Sequence, residues 1–99
     1  MSNAVWFISY KLVEGASVSD FLIASEKVNN EVLSKQKGFI SWKVLVDGDT
    51  WVDLVTWETM DDAKAGETAG GANPVAHEFY SFIDFSSLKS QSFLVEKSY

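Results

Sequence analysis

The sequence predicts an α+β domain in which one four-stranded antiparallel sheet carries its helices on a single face. Three observations predict it. The spacing of apolar residues switches along the chain from a period of two to one of about 3.6 residues and back again. Two strand-like runs are separated only by Asp47-Gly48-Asp49, a hairpin turn by composition. A helix-start signal, Ser or Thr followed three residues later by Asp, stands once after the first strand and once after the hairpin.

Each element has its own justification. Val5 to Leu12 alternates as a strand, with Trp6, Ile8, Tyr10 and Leu12 on one face and Phe7, Ser9 and Lys11 on the other. Ser17 then caps a helix and Asp20 can return the bond. Its buried stripe is Val18, Phe21, Leu22, Ser25, Val28 and Val32, and Gly38 supplies a left-handed stop. Phe39 to Val46 and Trp51 to Glu58 are the hairpin strands. Thr59 with Asp62 opens a short helix that Gly70-Gly71 ends, and Asn73 caps a third helical segment with Pro74 at its first position, running to about Asp84. Phe85 to Gln91 reads as a Ser-rich connection and Ser92 to Tyr99 as the last strand. The order βαββαβ is the split βαβ arrangement termed ferredoxin-like, and residues 1–99 form one such domain. Right-handed crossovers place the helices on one sheet face and leave the other bare.

The hairpin register decides what the bare face carries. A three-residue loop sets Lys43 opposite Asp53, Leu45 opposite Trp51 and Phe39 opposite Trp57. Ile40, Trp42, Val44, Val46, Val52, Leu54 and Thr56 then share an almost wholly apolar face under the helices. A two- or four-residue loop would set Asp53 against Val44, leaving a carboxylate unpaired among tryptophans, and burial of an unpaired charge costs several kcal/mol. With the first register, the bare face holds Phe7, Phe39, Leu45, Trp51, Val55, Trp57 and a Lys43/Asp53 pair. That face is too apolar to meet water, so a homodimer through it is expected.

Composition narrows the function. The chain is 46 % hydrophobic and 14 % aromatic, with four Trp, seven Phe and three Tyr, so apolar area exceeds what a domain this small can bury alone. A net charge of −6 repels phosphate backbones and anionic lipid, which argues against nucleic-acid and membrane partners. Without Cys there is no disulfide, thiolate nucleophile or thiolate metal site, and a single His excludes an imidazole-built zinc site. No apolar run nears the roughly 20 residues that span a bilayer, and no signal-peptide pattern opens the chain, so a cytoplasmic location is expected. The run KGFISWKV begins like an RNA-binding signature, but only Lys37-Gly38-Phe39 match, on the second strand rather than the third. Gly70-Gly71 precedes Ala-Asn-Pro, a helix break rather than a phosphate-cradling loop.

The short aromatic first strand ending in Lys-Leu, KGFISWKV after the first helix, and WVDLVTWETMDDA leading into a broken helix together resemble the dimeric α/β-barrel superfamily, and within it the antibiotic biosynthesis monooxygenases. The likeness spans nearly the whole chain on loose motifs: Gly38-Phe39, Trp57-Glu58, and Pro74 with Phe79. It implies a barrel built from the sheets of two copies. It also implies functions from oxidation of aromatic polyketides without a cofactor to haem degradation and isomerisation, and a fold does not choose among them. Haem degradation resembles an Asn/Trp/His set, and this chain has Ile8 and Ser9 where the Asn would stand and no Trp after Glu58. The expectation is a small-molecule-binding dimer acting as a cofactor-independent monooxygenase or isomerase on an aromatic or apolar substrate; the alternative is a non-catalytic dimer that binds or senses such a molecule.

Two residues are weak catalytic candidates. His77 is the one side chain that ordinarily titrates near neutrality. On a helix at roughly 100° per residue it points away from Val75, Phe79, Phe82 and Ile83, and the position where the resembled family often has His is Val75. A solvated His77 is therefore expected. Tyr10 places a phenol on an apolar face and needs a partner, with Thr56 and Tyr80 the nearest polar candidates. Trp6, Tyr10, Trp42, Thr56 and Tyr80 are the candidate ligand-binding residues, able to line an aromatic pocket between sheet and helices.

Overall fold

The computed structural model describes residues 2–99. The elements follow as β1 (Ala4–Leu12), α1 (Val18–Glu31), β2 (Phe39–Asp47), β3 (Thr50–Trp57), α2 (Met60–Gly71), α3 (Pro74–Tyr80) and β4 (Ile83–Leu94), with one 3₁₀ turn at Leu33–Lys35. The strands form one antiparallel sheet in the order β2-β3-β1-β4, which is the ferredoxin-like topology the sequence predicts. No helix among the described residues is long and apolar enough to cross a membrane.

The helix starts lie where the capping residues put them. Ser17 Oγ accepts from the Asp20 N–H at 3.2 Å, Thr59 Oγ1 from the Asp62 N–H at 3.1 Å, and Asn73 Oδ1 from the Val75 N–H at 2.9 Å. Each cap satisfies an N–H that the first turn leaves without a carbonyl. The stripe of α1 is rotated slightly from expectation: Phe21, Ser25, Val28 and Val32 are buried and Ala24 joins them, while Val18 and Leu22 are exposed. The line 21, 24, 25, 28 is a narrower i, i+3, i+4, i+7 seam, and Leu22 falls one step off it. Gly38 is left-handed, at φ +80, but it closes the turn into β2 after the 3₁₀ turn instead of ending α1.

The last strand begins much earlier than its sequence suggests. Residues read as a Ser-rich connection belong to β4, where the pairing with β1 shifts between Ser9↔Lys89 and Lys11↔Asp84. Hydroxyl groups replace the ladder bonds this bulge removes. The Lys11 N–H donates to Ser87 Oγ at 2.8 Å, the Ser87 hydroxyl donates to the Asp84 carbonyl at 2.6 Å, and the Ser86 hydroxyl to Asp84 Oδ1 at 2.6 Å. Serines that signal a loop thus carry an irregular strand.

The hairpin register is the main correction. Phe39 does pair with Trp57, but Ile40 is an extra residue in β2, and beyond it every pair moves by one: Trp42↔Val55, Val44↔Asp53, Val46↔Trp51, Asp47↔Thr50. The turn is the two-residue Gly48-Asp49, with Gly48 at φ +61 as a type II′ turn requires at its first central position. Lys43 is therefore exposed and pairs with Leu54, not with Asp53. Only β3 and Phe39 change face: Trp51, Asp53, Val55 and Trp57 turn to the helices and Val52, Leu54 and Thr56 away from them, while Trp42, Val44 and Val46 lie under the helices as the sequence predicts. Toward the helices, β1, β3 and β2 set side chains in rows: Ala4–Trp57–Phe39, Trp6–Val55–Trp42, Ile8–Asp53–Val44 and Tyr10–Trp51–Val46. The bare face instead carries Phe7, Leu54 and Leu45, with Val5 beside Phe93 at its β4 side. A dimer contact through Phe39, Trp51 and Trp57 is thereby overturned, because the Trp57 ring is 0 % exposed beneath α2.

Gly66 makes that burial possible. A Cβ built there would stand 2.2 Å from the Trp57 ring. The ring is held by Trp6 and Phe39, at 4.9 and 5.7 Å between centroids, so it has nowhere to move. Gly66→Ala is expected to destabilise by about 1 to 3 kcal/mol through overpacking, against a helix-propensity gain of up to about 1 kcal/mol. Gly71→Ala, with nothing near its Cβ position, is expected to be neutral or stabilising, and urea titration of both variants checks the contrast.

Candidate functional site

A cavity of about 250 Å³ opens between the helix-facing rows of the sheet and the helices. Its floor is Trp6, Ile8, Asp53, Val55 and Trp42, its roof is formed by Gly66 and Gly70 of α2, and α3 contributes Phe79 and Tyr80. The roof is low in side chains because Gly66 and Gly70 follow one another at i, i+4 on one face of α2. Glu67, Phe85, Ser90 and Ser92 are the exposed members of the lining and mark its mouth along β4.

The polar content of this apolar space is concentrated at Asp53, which is 5 % exposed. The Tyr10 hydroxyl donates to Asp53 Oδ1 at 2.8 Å across the β1–β3 pair. Burial pushes the Asp53 carboxyl up to about 6, well above its ordinary range, while the Tyr10 hydroxyl and the Trp42 indole N–H pull it partly back. The Trp42 N–H acts at longer range, since Trp42 Nε1 is outside hydrogen-bond geometry with any group. Burial first, then the neighbouring Asp53 charge, pushes the Tyr10 phenol upward, so Tyr10 stays a donor at every ordinary pH. Burial likewise raises the Tyr80 phenol, with Asp53 and Glu67 adding to it. Three buried polar atoms have no partner among the described residues: the indole nitrogens of Trp6, Trp42 and Trp57. The rings of Trp6 and Trp42 belong to the cavity floor on either side of Val55, with their nitrogens buried.

The sequence-derived candidates divide. Trp6, Trp42 and Tyr80 come together around the cavity, and Tyr10 lies beneath it as the partner of Asp53 rather than of Thr56 or Tyr80. Thr56 pairs with Val5 on the bare face of the sheet, the side opposite Asp53, and is outside the cavity. His77 is exposed, and its Nε2–H donates to the Gly71 carbonyl at 2.8 Å, fastening α3 to the end of α2. His77→Gln is expected to change stability by less than about 0.5 kcal/mol and to leave ligand affinity unchanged, as calorimetry would show. Asp53 is the site residue the sequence reading misplaced. The signal was present: the alternation Trp51-x-Asp53-x-Val55-x-Trp57 sets the carboxylate on the same face as two tryptophans, and Tyr10 already lacked a partner.

No family model matches the sequence, and a search of curated proteins gives no match. Solved structures do match. A variant of SnoaB from Streptomyces nogalater, a cofactor-independent oxygenase, superposes with a TM-score of 0.79 at 12 % identity, over 99 % of this chain and 97 % of that one. A protein of unknown function from Nitrosomonas europaea gives 0.72 at 16 % identity, over 100 % and 94 %. The chain has their fold. A Bacillus cereus protein named for the antibiotic biosynthesis monooxygenases gives 0.67 at 17 % identity, over 100 % and 98 %. The resemblance carried by KGFISWKV and WVDLVTWETMDDA is therefore matched across the whole architecture, at identities that speak for the fold and leave the chemistry to the site.

Proposed function

We propose that this protein binds a small, planar, largely apolar molecule in the cavity above Asp53 and oxidises it with dioxygen, using no resident cofactor. The observation that carries the reading is the cavity itself: about 250 Å³, aromatic on floor and wall, with one buried carboxyl group as its fixed polar point. Such a space suits a flat molecule carrying one or two oxygens. The likeness to SnoaB, described as a cofactor-independent oxygenase, supports the reaction class. The reaction balances as substrate–CH₂ plus dioxygen giving a carbonyl and water, with four electrons leaving the substrate. Dihydroxynaphthalene is a suitable first probe. Expected are quenching of tryptophan fluorescence on binding and consumption of dioxygen with one labelled oxygen atom retained in the product. Quenching without consumption would favour the second reading, a protein that holds or senses such a molecule; no quenching would sink both.

The functional unit we propose is a homodimer through the bare sheet face. Phe7, Leu45 and Phe93 are 44 %, 42 % and 43 % exposed there, and an apolar strip across a sheet calls for a cover. Phe7→Glu is expected to turn a species sedimenting as two chains into one of 11.0 kDa with an unchanged circular dichroism spectrum. A wild-type chain that is monomeric at tens of micromolar would overturn it.

A further inference from the structure

We propose that Asp53 is the proton acceptor of this site, oriented by Tyr10, and takes the proton that a carbonyl ligand gives up beside its carbonyl group. The inference rests on the reading of the cavity as a ligand site and names the ligand class: an aromatic ketone, or its enol, with an acidic C–H beside the carbonyl.

The geometry sets the roles. Asp53 sits in the row Ile8–Asp53–Val44, one row below Trp6–Val55–Trp42, so a carboxyl group lies beside two indole rings on one floor. The carboxyl receives its one close hydrogen bond, from Tyr10, at Oδ1. Tyr10 is outside the cavity lining and is a positioning residue; Asp53 is within it. Charge selects the ligand. A ligand that arrives as an anion meets a second buried carboxylate and a chain of net charge −6. An ammonium ligand would pair with Asp53 and occupy it. A neutral ketone does neither: its C–H bond breaks, the proton passes to Asp53, and the electron pair moves onto the carbonyl oxygen. The buried charge is moved rather than increased. Return of the proton to oxygen gives the enol, and return to carbon gives back the ketone, so keto–enol interconversion needs no further reagent. The titratable groups around Asp53 are Tyr10 from β1, Tyr80 from α3 and Glu67 from α2; α1 turns Phe21, Ala24, Ser25 and Val28 inward and β4 brings Leu88, Ser90 and Ser92, none of which ionises. Asp53 is thus the one group there poised to exchange a proton near neutral pH.

The test uses beta-tetralone in deuterium oxide under nitrogen, where oxidation is switched off, with α-proton exchange followed by NMR and binding by tryptophan fluorescence. Expected is exchange at least about 100-fold above buffer, rising with pH through about 6 as the carboxyl ionises. Asp53→Asn, which can still accept from Tyr10, is expected to bind the ketone yet exchange it at the buffer rate. Tyr10→Phe removes a bond that holds the carboxyl down, so the midpoint of its pH profile is expected to move up. His77→Gln is expected to match wild type. Binding without exchange in the wild type, or exchange that survives Asp53→Asn, would overturn the assignment while leaving the ligand site in place. Absence of binding by both the ketone and dihydroxynaphthalene would overturn the site and the assignment together.

Discussion

Replacing Phe21 with alanine is expected to destabilise the domain by about 3 to 5 kcal/mol. The side chain is 0 % exposed and is where separate elements meet. Its ring stacks on Phe79 at 5.2 Å and stands edge-on to Trp51 at 5.1 Å, Phe82 at 6.1 Å and Tyr10 at 6.2 Å. These neighbours come from β1, β3, α3 and the connection into β4, so truncation at one position loosens every layer of the aromatic core at once. Aromatic pairs add about 0.5 to 1.5 kcal/mol each beyond area, and a domain of this size has roughly 5 to 15 kcal/mol in total. Phe21→Leu is expected to lose a smaller part of that. Ile23→Ala, on the solvent side of the same helix, should fall within about 0.5 kcal/mol of wild type. Urea midpoints for the three variants measure the series; a Phe21→Ala loss below about 1 kcal/mol would mean that the core closes around the missing ring.

Stability should also rise as the solution is made mildly acidic, the reverse of ordinary acid denaturation. Burial raises the Asp53 carboxyl from 3.8 in the unfolded chain to about 6 in the folded one, so between these values the folded protein binds a proton that the unfolded chain does not. The contribution is fully present below about pH 4 and is lost as pH rises through about 6. A shift of this size corresponds to something on the order of 2 to 3 kcal/mol. Asp53→Asn removes it. The variant is therefore expected to gain on wild type as pH rises, to be the more stable protein at pH 8, and to lose that advantage near pH 4. The difference between the two proteins isolates Asp53 from the other carboxylates, which titrate in both. A variant less stable than wild type at pH 8 would show that the ionised carboxylate is well compensated in the fold.

What could be read from the sequence follows from the range of the interactions involved. Ser17, Thr59 and Asn73 announce helix starts because a cap is made within three residues, and strand β1 was legible because burial alternates along it without interruption. The two β-bulges were not. An extra residue at Ile40 leaves no local mark in FISWKVLV, yet it decides which of Trp42 and Lys43 turns inward. The bulge in β4 hides in serines whose bonds to Lys11 and Asp84 form only once the strands meet. Asp53 was misread for a related reason. The buried carboxylate does without a cation in this fold, because it has a phenol 43 residues away in sequence as its partner and can itself take up a proton. Both are long-range or environmental effects that no window of sequence displays.

The bulge at Ile40 also sets how far this protein stands from inertness. Were Ile40 to take a regular place in the ladder instead of bulging out of it, β2 would keep the phase that Phe39 and Trp57 begin, and Lys43 would lie across from Asp53 on the helix side of the sheet. An ammonium there would pin the carboxylate in its charged form and occupy the polar end of the cavity, while Trp42 would turn out of its floor. The same ninety-odd side chains would then make a packed sandwich with a buried ion pair and no vacancy for a guest. Parity along one edge strand separates the two outcomes, and the backbone of a single residue sets it.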